Sequence, residues 1–334
     1  MVVDSCTDKR TKQVVPLMYL EQLSVDVSRQ VRLIVASHWD DDHVRGLDKM
    51  YDSAERAEVA FSEALMSEEF FTLLQAEQRT LTKSRTVKTM DSVLRILDAR
   101  RSSTTGLPEP KLAKAYTPLW TRLPAKGQPA CSVVALSPSN TSVIDALAQI
   151  GSSIQKAHKI KRRTRITRNR ATVALWITVG DSHVLLGGDL ETTGNPATGW
   201  TAILNSPLRP PHRASVFKVP HHGSVDSYEA RVWGEMLTER ASAILAPHVK
   251  GDNALPTTEG RMLICGHTDL AYITAPPAHP AARTRHGALG KMVDQTVRTI
   301  REAEGLPGQT RLRQPITATD DWRVEHFFPS TVLC

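Results

Sequence analysis

The sequence has few cysteines, few aromatic residues and no long apolar run. Its 334 residues include four cysteines, and aromatic residues make up 5% of the chain. No segment approaches the roughly 18 to 20 consecutive apolar residues that a membrane-spanning helix needs. The N-terminus has no basic segment followed by an apolar one, as a secretory signal would. We therefore expect a soluble, cytoplasmic protein without a membrane partner.

The four cysteines are widely separated along the chain. None forms a C-x-x-C pair, so the spacing is not typical of a thiolate zinc site or of a disulfide framework. We therefore expect four reduced thiols, at Cys6, Cys131, Cys265 and Cys334.

Positive charge is in excess and is concentrated in one segment. The formal net charge is +7, and residues 156–170 contain eight Lys or Arg and no acidic residue. Such a run is either a solvated connector or an electropositive rim for an anionic substrate such as a phosphodiester. The low aromatic content provides few platforms for stacking nucleobases, which counts against sequence-tolerant binding of single strands.

Apolar patterns alternate between strand and helix periods, which predicts an α/β fold. We expect one domain over 1–334, with 281–334 as a C-terminal extension that returns to the sheet. Helical spacing predicts helices over 63–76 and 87–99, and 106–128, rich in Pro and Gly, is expected to be a loop. Strands are expected at 31–37, 58–61, 133–136, 172–179, 184–186, 215–219, 243–246, 270–274 and 322–327.

Val2-Val3-Asp4 resembles the end of a core strand with almost nothing before it. Either the natural reading frame is longer, so that the first N-terminal strands are missing here, or a hairpin shortens the sheet.

The segment His38-Trp-Asp-Asp-Asp-His43 follows the predicted strand over 31–37. Two histidines and several carboxylates in one short turn are typical of a divalent-metal site. Strand-like alternation projects His38 and Asp40 together, whereas Asp42 and His43 fall on the next turn and can face a second ion. The alternative is an acidic N-cap for the helix after Gly46.

Two further segments end apolar strands with polar residues. In Val184-Leu-Leu-Gly-Gly-Asp-Leu-Glu191, the glycines permit close approach of the backbone, and Asp189 is the expected bridging ligand. In Phe217-Lys-Val-Pro-His-His-Gly-Ser224, we expect His221 to bind metal and His222 to face substrate. The alternatives are a Gly-Gly-Asp turn and two histidines satisfied by backbone groups.

Together the three segments resemble the metallo-β-lactamase superfamily, and within it the soluble hydrolase domain of the bacterial DNA-uptake competence protein ComEC. The resemblance implies a four-layer αββα fold over roughly residues 1–275 and two divalent metal ions. The segment Asn169-Arg-Ala-Thr172 is similar to the N-x-x-S that opens the strand before Gly-Asp in that branch.

The chain departs from the family pattern in three places. Asp40 replaces the middle histidine of the usual H-x-H-x-D-H motif, a variant that the competence-like branch tolerates. Neither His158 nor His183 clearly supplies the family's next histidine. Leu255-Pro256 stands where the competence-like proteins tend to have His-Pro, and His248 is a candidate substitute.

These motifs predict a binuclear hydrolase that uses a hydroxide bridging its metals. Zn²⁺ is the first expectation and Mn²⁺ the second, because aspartate hardens the ligand set. Asp42 would orient the hydroxide, and His222 or Lys218 would protonate the leaving group or hold an anionic oxygen. The favoured substrate is a phosphodiester, either nucleic acid or nucleotide. A small ester, thioester or lactone is the alternative substrate, and a catalytically degenerate metal-binding scaffold is the alternative to an enzyme.

Overall fold

Two β-sheets, packed face to face and covered by helices, form the fold. The structure is a computed structural model that describes residues 1–8, 10–78, 85–102, 109–160, 168–250, 253–276, 308–315 and 322–334. In these ranges it has the mixed α/β character expected from the sequence.

The smaller sheet has four parallel strands in the order β1-β2-β3-β4. Because β2 is buried on both faces, it is apolar without alternation, as predicted. Its strands are β1 (Val2–Val3), β2 (Leu33–Ala36), β3 (Glu58–Ser62) and β4 (Lys111–Ala113).

The larger sheet has eight strands in the order β16-β13-β10-β9-β8-β7-β6-β5. Its β8, β9, β10 and β13 are parallel, whereas β7 and β8 form the predicted hairpin around Gly180-Asp181. The strands are β5 (Thr117–Arg122), β6 (Cys131–Ala135), β7 (Leu175–Val179), β8 (Ser182–Leu186), β9 (Ala214–Lys218), β10 (Leu237–Leu245), β13 (Ala271–Ile273) and β16 (Thr331–Val332). Two separate pairs are β11 (His248–Lys250) with β12 (Asn253–Leu255), and β14 (Gln309–Arg313) with β15 (Arg323–Phe327).

Helices cover the outer faces of both sheets. They are α1 (Val15–Gln22), α2 (Val27–Gln30), α3 (Asp41–Val44), α4 (Leu47–Ser53), α5 (Glu68–Gln78), α6 (Arg85–Arg101), α7 (Asn140–Ile160), α8 (Gly199–Leu204), α9 (Ala230–Met236) and α10 (Thr258–Cys265). Helix α5 overlaps the predicted range 63–76 but ends at Gln78, and residues Glu63–Met66 form a 3₁₀ turn before it. Among the described helices, none combines the length and the apolar character needed to cross a membrane.

Three apolar clusters define the order of the layers. Leu33 and Val35 of the small sheet pack against Leu119, Val133 and Leu175 of the large sheet. On the opposite face of the small sheet, β2 and β3 pack against α4, α5 and α6. On the opposite face of the large sheet, its strands pack against α8, α9 and α10. The two sheets therefore form a sandwich between two helical layers.

The expectation of a loop over 106–128 is wrong in part, because β4 and β5 lie in this range. Pro118 favoured the prediction of a loop, although it lies within β5. Strand β5 is an edge strand whose register shifts between Pro118 and Trp120, and edge strands with irregular pairing tolerate proline. Residues 103–108 lie outside the described ranges.

The C-terminal extension is described for 308–315 and 322–334. The segment predicted as a strand at 322–327 forms β15, but it pairs with β14 instead of joining the large sheet. The later strand β16 makes that connection, antiparallel to β13.

A disulfide joins Cys265 to Cys334, so the expectation of four reduced thiols is wrong for this pair; Cys6 and Cys131 are free. The two residues are 69 positions apart. Leu333, which follows β16, packs in the same core as Ile264 of α10 and brings the cysteines together. Sequence spacing gives no information about such a contact. Because disulfides persist mainly in oxidising compartments, the cytoplasmic location stays a prediction.

Replacing Phe61 with alanine should destabilise the protein by about 3–5 kcal/mol, because a buried ring is lost and a cavity remains. Phe61 is 0% exposed and packs between β3 and the helices outside it. Denaturant unfolding measures the change in free energy. Leu123→Ala is the matched control, since Leu123 is 79% exposed; a Phe61→Ala effect as small as the control's would contradict this packing.

Candidate metal centre

The three sequence motifs meet where strands from both sheets end. The segment 38–43 follows β2, Asp189 follows β8, and residues 221–222 follow β9. Strands β1 and β2 are parallel in one sheet, and β8 and β9 are parallel in the other. The amide of Val173, just before β7, donates a hydrogen bond to the carbonyl of Ser37 at 2.8 Å and joins the sheets there.

His38 is buried where the three motifs meet, with 1% of its surface exposed. Its Nδ1 is 3.0 Å from Ser37 Oγ, whereas its Nε2 is buried without a hydrogen-bond partner among the described residues. That nitrogen lies 3.6 Å from Asp189 Oδ2 and 3.8 Å from Asp40 Oδ2. Asp189 Oδ1 is also buried; His43 Nε2 lies 3.3 Å away, but no described residue makes a hydrogen bond to this oxygen. Imidazole nitrogens and carboxylate oxygens that are buried close together without hydrogen bonds are typical ligands of a bound cation.

Asp4 holds His43 in place. Its carboxylate is 2.7 Å from His43 Nδ1, and it accepts hydrogen bonds from the Ser37 amide at 2.6 Å and hydroxyl at 2.7 Å. The other nitrogen, His43 Nε2, therefore points to Asp189 Oδ1 at 3.3 Å. A carboxylate behind a histidine is the usual support of a metal-binding imidazole.

Sequence reasoning missed the role of Asp4. The signal was present, because Asp4 follows β1 directly and β1 is parallel to β2. Residues that follow parallel neighbouring strands lie at the same edge of the sheet.

The electrostatics of this corner are tightly balanced. Burial opposes the charged form of His43, but the carboxylates of Asp4 and Asp189 raise its pKa well above the usual value. Burial would raise the pKa of Asp189, yet the close contact and charge of His43 and the charge of His38 lower it. Burial and the neighbouring His43 lower the pKa of His38, which favours the neutral imidazole that binds metals.

Two glycines allow Asp189 to reach this position. Gly188 has φ +54°, and a Cβ there would lie 2.6 Å from Thr172 Cγ2. A Cβ on Gly187 would lie 2.9 Å from Pro220 Cβ. The predicted close approach of backbone therefore occurs, and its partners are the neighbouring chain segments that carry the other site residues.

A second group contains Asp42, His43 and His222, whose ligand atoms lie within 4.8 Å of one another, as do those of His38, His43 and Asp189. His222 Nδ1 is 3.0 Å from the carbonyl of Ala246, and its Nε2 is 3.2 Å from Asp42 Oδ2. Because a carbonyl only accepts, Nδ1 carries a proton, and Nε2 is the nitrogen directed at Asp42. A cation between these two atoms would suit both.

His248 borders this second group. Its Nδ1 is 3.4 Å from Asp42 Oδ2, and its ring lies 4.8 Å from that of His222. Burial would raise the pKa of Asp42, but the hydrogen bonds of His222 and His248 lower it far below the usual range. The sequence-based suggestion that His248 substitutes for a missing ligand is thus compatible with its position.

The structure places the two adjacent histidines in unexpected orientations. Both have positive φ, +44° for His221 and +55° for His222. His222 is buried in the candidate metal group, whereas His221 lies with Nδ1 3.5 Å from Glu191 Oε1 and Nε2 3.4 Å from Asn169 Nδ2. The geometry therefore favours His222 over His221 as a ligand, and the assignment made from sequence stays a prediction.

His43 belongs to both groups but can serve only one ion. Its Nδ1 is bonded to Asp4, so Nε2 alone remains for a metal. If two ions bind, one group must recruit a further donor. Asp40 beside His38, and His248 beside Asp42, are the nearest described candidates.

The remaining predicted residues have other surroundings. Lys218 Nζ donates to the carbonyl of Val219 at 2.9 Å; burial lowers its pKa, and the carboxylates of Asp189, Asp4 and Asp42 oppose this. Its charge therefore interacts favourably with the site's carboxylates. Asp41 pairs with Arg45 and lies outside both metal groups.

The capping alternative has no support in the described contacts. Asp40 is at the N-cap position of α3, but its side chain makes no capping hydrogen bond. The N-cap of α4 is Gly46, which has no side chain to offer.

The other histidines considered from sequence lie elsewhere. His183 is in β8 and stacks on His212, with ring centroids 4.7 Å apart. The side chain of His158 is outside the described part of the chain, as are 161–167 of the basic run. The end of that run does reach the site, because Asn169 contacts both Glu191 and His221.

Comparison with known proteins gives no family. No family model matches the chain, and no curated protein is significantly similar to it.

The geometry predicts that His222→Gln lowers Zn²⁺ affinity by at least about 100-fold. Loss of a residue that only supports a metal ligand costs up to about 100-fold, and this substitution removes a ligand itself. His221→Gln is the matched control, one residue away and also at positive φ, and should lower affinity less than about tenfold. Calorimetric titration of the metal-free proteins measures both, and circular dichroism checks folding. A larger loss in His221→Gln would restore the assignment made from sequence.

Proposed function

We propose that the protein is a metal-dependent hydrolase of phosphodiesters with a metallo-β-lactamase fold. The observation that carries the proposal is a pair of buried atoms, His38 Nε2 and Asp189 Oδ1, to which no described residue makes a hydrogen bond, in one cluster of imidazoles and carboxylates. Burying such groups unsatisfied is costly, and a divalent cation removes that cost.

The architecture supports the fold proposed. Two sheets lie between two helical layers, which is the αββα order implied by the resemblance. The three motifs occur in the order of that family and converge at strand ends. The similarity thus rests on the motifs and on the layer order together.

Zn²⁺ is the favoured ion, because the set mixes imidazole and carboxylate donors, and Mn²⁺ is the second choice. His38, His43 and Asp189 would hold one ion, and Asp42 and His222 a second, with Asp40 and His248 as supplementary donors. When bound, the metals supply an activated water and stabilise negative charge on the substrate.

The protein's own residues define the side from which substrate enters. The side chains of His38 and Asp189 are 1% and 5% exposed, whereas that of Asp42 is 38% exposed. Substrate therefore approaches over Asp42 and His248. The Asp42 carboxylate, held by His222 and His248, is positioned to accept a hydrogen bond from the attacking water. Lys218, near the same carboxylates, reduces their mutual repulsion.

Charge favours a phosphodiester as the substrate class. The net charge of +7 and the basic run ending at the site both favour an anionic substrate, of which nucleic acid and nucleotides are the leading members. A neutral ester, thioester or lactone would gain nothing from this charge.

A metal-binding scaffold without activity is the second candidate. The two groups share His43, and only its Nε2 is available to a metal. The described residues therefore supply a full set of ligands for one ion more readily than for two, which favours a scaffold that binds one metal.

Replacing Asp189 with asparagine should lower hydrolysis of bis-p-nitrophenyl phosphate by about 100-fold or more, since metal-based charge stabilisation is worth several kcal/mol. Elemental analysis should show two metals per wild-type chain and fewer in the variant. Asp181→Asn is the control, because Asp181 is an exposed acid in the turn before β8. One metal and no hydrolysis in the wild type would favour the scaffold; full activity in Asp189→Asn would refute the proposed centre.

A further inference from the structure

The disulfide between Cys265 and Cys334 joins two short elements of structure. Cys265 is the last residue of α10, which has eight residues, and isolated helices shorter than about 12–15 residues are marginal in water. Cys334 follows β16, a two-residue strand that is the last in the order of the large sheet and pairs with β13. The position of each element therefore depends on its contacts with the rest of the protein, and the disulfide is a covalent contact between them.

Helix α10 packs directly on the loop that carries His222. A Cβ on Gly260 would lie 2.3 Å from the carbonyl oxygen of Gly223, the residue after His222. A Cβ on Gly223 would in turn lie 3.0 Å from Ile264 Cδ1, in the last turn of α10. The two backbones thus touch at their glycines, so a displacement of α10 also displaces this loop. The left-handed φ of His222, +55°, persists only where such surrounding contacts hold it.

The large sheet links the other cysteine to the same histidine. Strand β16, which precedes Cys334, pairs with β13, and β13 pairs in parallel with β10. The carbonyl of Ala246, directly after β10, accepts a hydrogen bond from His222 Nδ1 at 3.0 Å. The disulfide therefore closes a ring of contacts. Helix α10 leads from it to the backbone after His222, and the strands lead from it to the carbonyl that orients the His222 imidazole.

A thiol reductant can reach this disulfide. Cys334 is exposed and Cys265 is half-buried, and exposed disulfides are the ones that exchange readily with thiols. A dithiol attacks one sulfur as a thiolate and forms a mixed disulfide, which its second thiol then resolves. Two electrons and two protons pass to the protein, so Cys265 and Cys334 become thiols and the dithiol becomes a disulfide.

We propose that this disulfide is a redox switch for the candidate metal centre: the oxidised protein holds His222 in its metal-binding position, and reduction releases α10 and β16 and lowers metal affinity. The inference rests on the metal centre of the proposed function and is independent of the substrate. His222 forms one group with Asp42 and His43, so the ion in that group is the one that reduction weakens. His38 and Asp189 follow β2 and β8, which are not part of the ring of contacts.

The test uses substitutions in place of a reductant, because thiolates themselves bind Zn²⁺. The double variant Cys265→Ser/Cys334→Ser lacks the disulfide, and Cys131→Ser is the matched control, since Cys131 is a free cysteine. Calorimetric titration of the metal-free proteins should show Zn²⁺ affinity at least about fivefold lower in the double variant, the lower end of typical coupling between two sites. The control should bind as the wild type does. Added to His222→Gln, the two serines should lower affinity no further, because the coupled ligand is already absent.

Amide hydrogen exchange gives a second measurement that needs no metal. The amides of Gly223 and Ser224 donate to the carbonyls of Pro220 and His221, both at 2.9 Å. In the double variant these two amides should exchange at least about fivefold faster than in the wild type, because the same coupling then opens the loop. The amides of β2 and β3 should keep the protection that they have in the wild type.

The remaining outcomes overturn the switch or separate it from the proposed function. Unchanged Zn²⁺ affinity together with a lower free energy of unfolding would make the disulfide a structural bridge only. Faster exchange spread evenly over the protein, or a loss of affinity that persists in the His222→Gln background, would also overturn the switch. Wild-type protein that is reduced, freed of reductant and reoxidised should regain its affinity, and an irreversible loss would contradict a switch.

If no form of the protein binds Zn²⁺, the proposed metal centre is refuted. The exchange of Gly223 and Ser224 then decides alone whether the disulfide controls this loop.

Discussion

The need to neutralise buried carboxylates and imidazoles organises the edge of this sandwich. Asp4, His43 and Asp189 form a continuous line of contacts, 2.7 Å and 3.3 Å long, from one sheet to the other. Each charge in that line is acceptable only because its neighbours oppose it. The line fixes the direction of His43 Nε2. Beside it, His38 Nε2 has no hydrogen-bond partner in the described part of the chain, and a cation would satisfy both nitrogens. The nearby glycines and the positive-φ histidines lie in the segments that bring side chains to this line of contacts.

Much of the fold could be predicted from sequence because local patterns carried it. The fully apolar sequence of β2 predicted a strand buried on both faces, and Gly180-Asp181 predicted the turn of the β7–β8 hairpin. The residues of 38–43 and Asp189 were recognisable because carboxylates and histidines crowd at strand ends for few other reasons. The prediction from local pattern was wrong at Pro118, because the composition there is typical of a loop although the segment forms an irregular edge strand.

The rest depends on contacts between distant segments. Asp4 supports His43 across 39 residues, and Cys265 is bonded to Cys334 across 69, yet neither contact can be recognised from the spacing of residues in the sequence. The sequence gives little guidance on the choice between His221 and His222 for a different reason. Alternation along a strand assumes extended backbone, whereas both residues adopt left-handed φ values, which redirect their side chains. Such conformations are concentrated at functional sites and cannot be read from residue type.

The central claim is that the corner formed by His38, His43 and Asp189 binds a metal ion. A crystal structure of the protein grown with Zn²⁺, with anomalous data collected at the zinc edge, tests it most directly. We expect an anomalous peak about 2.0–2.2 Å from His38 Nε2, from His43 Nε2 and from an Asp189 oxygen, the distances typical of zinc with these donors. A fully loaded crystal with no peak in this corner, or with zinc bound only elsewhere, would contradict it.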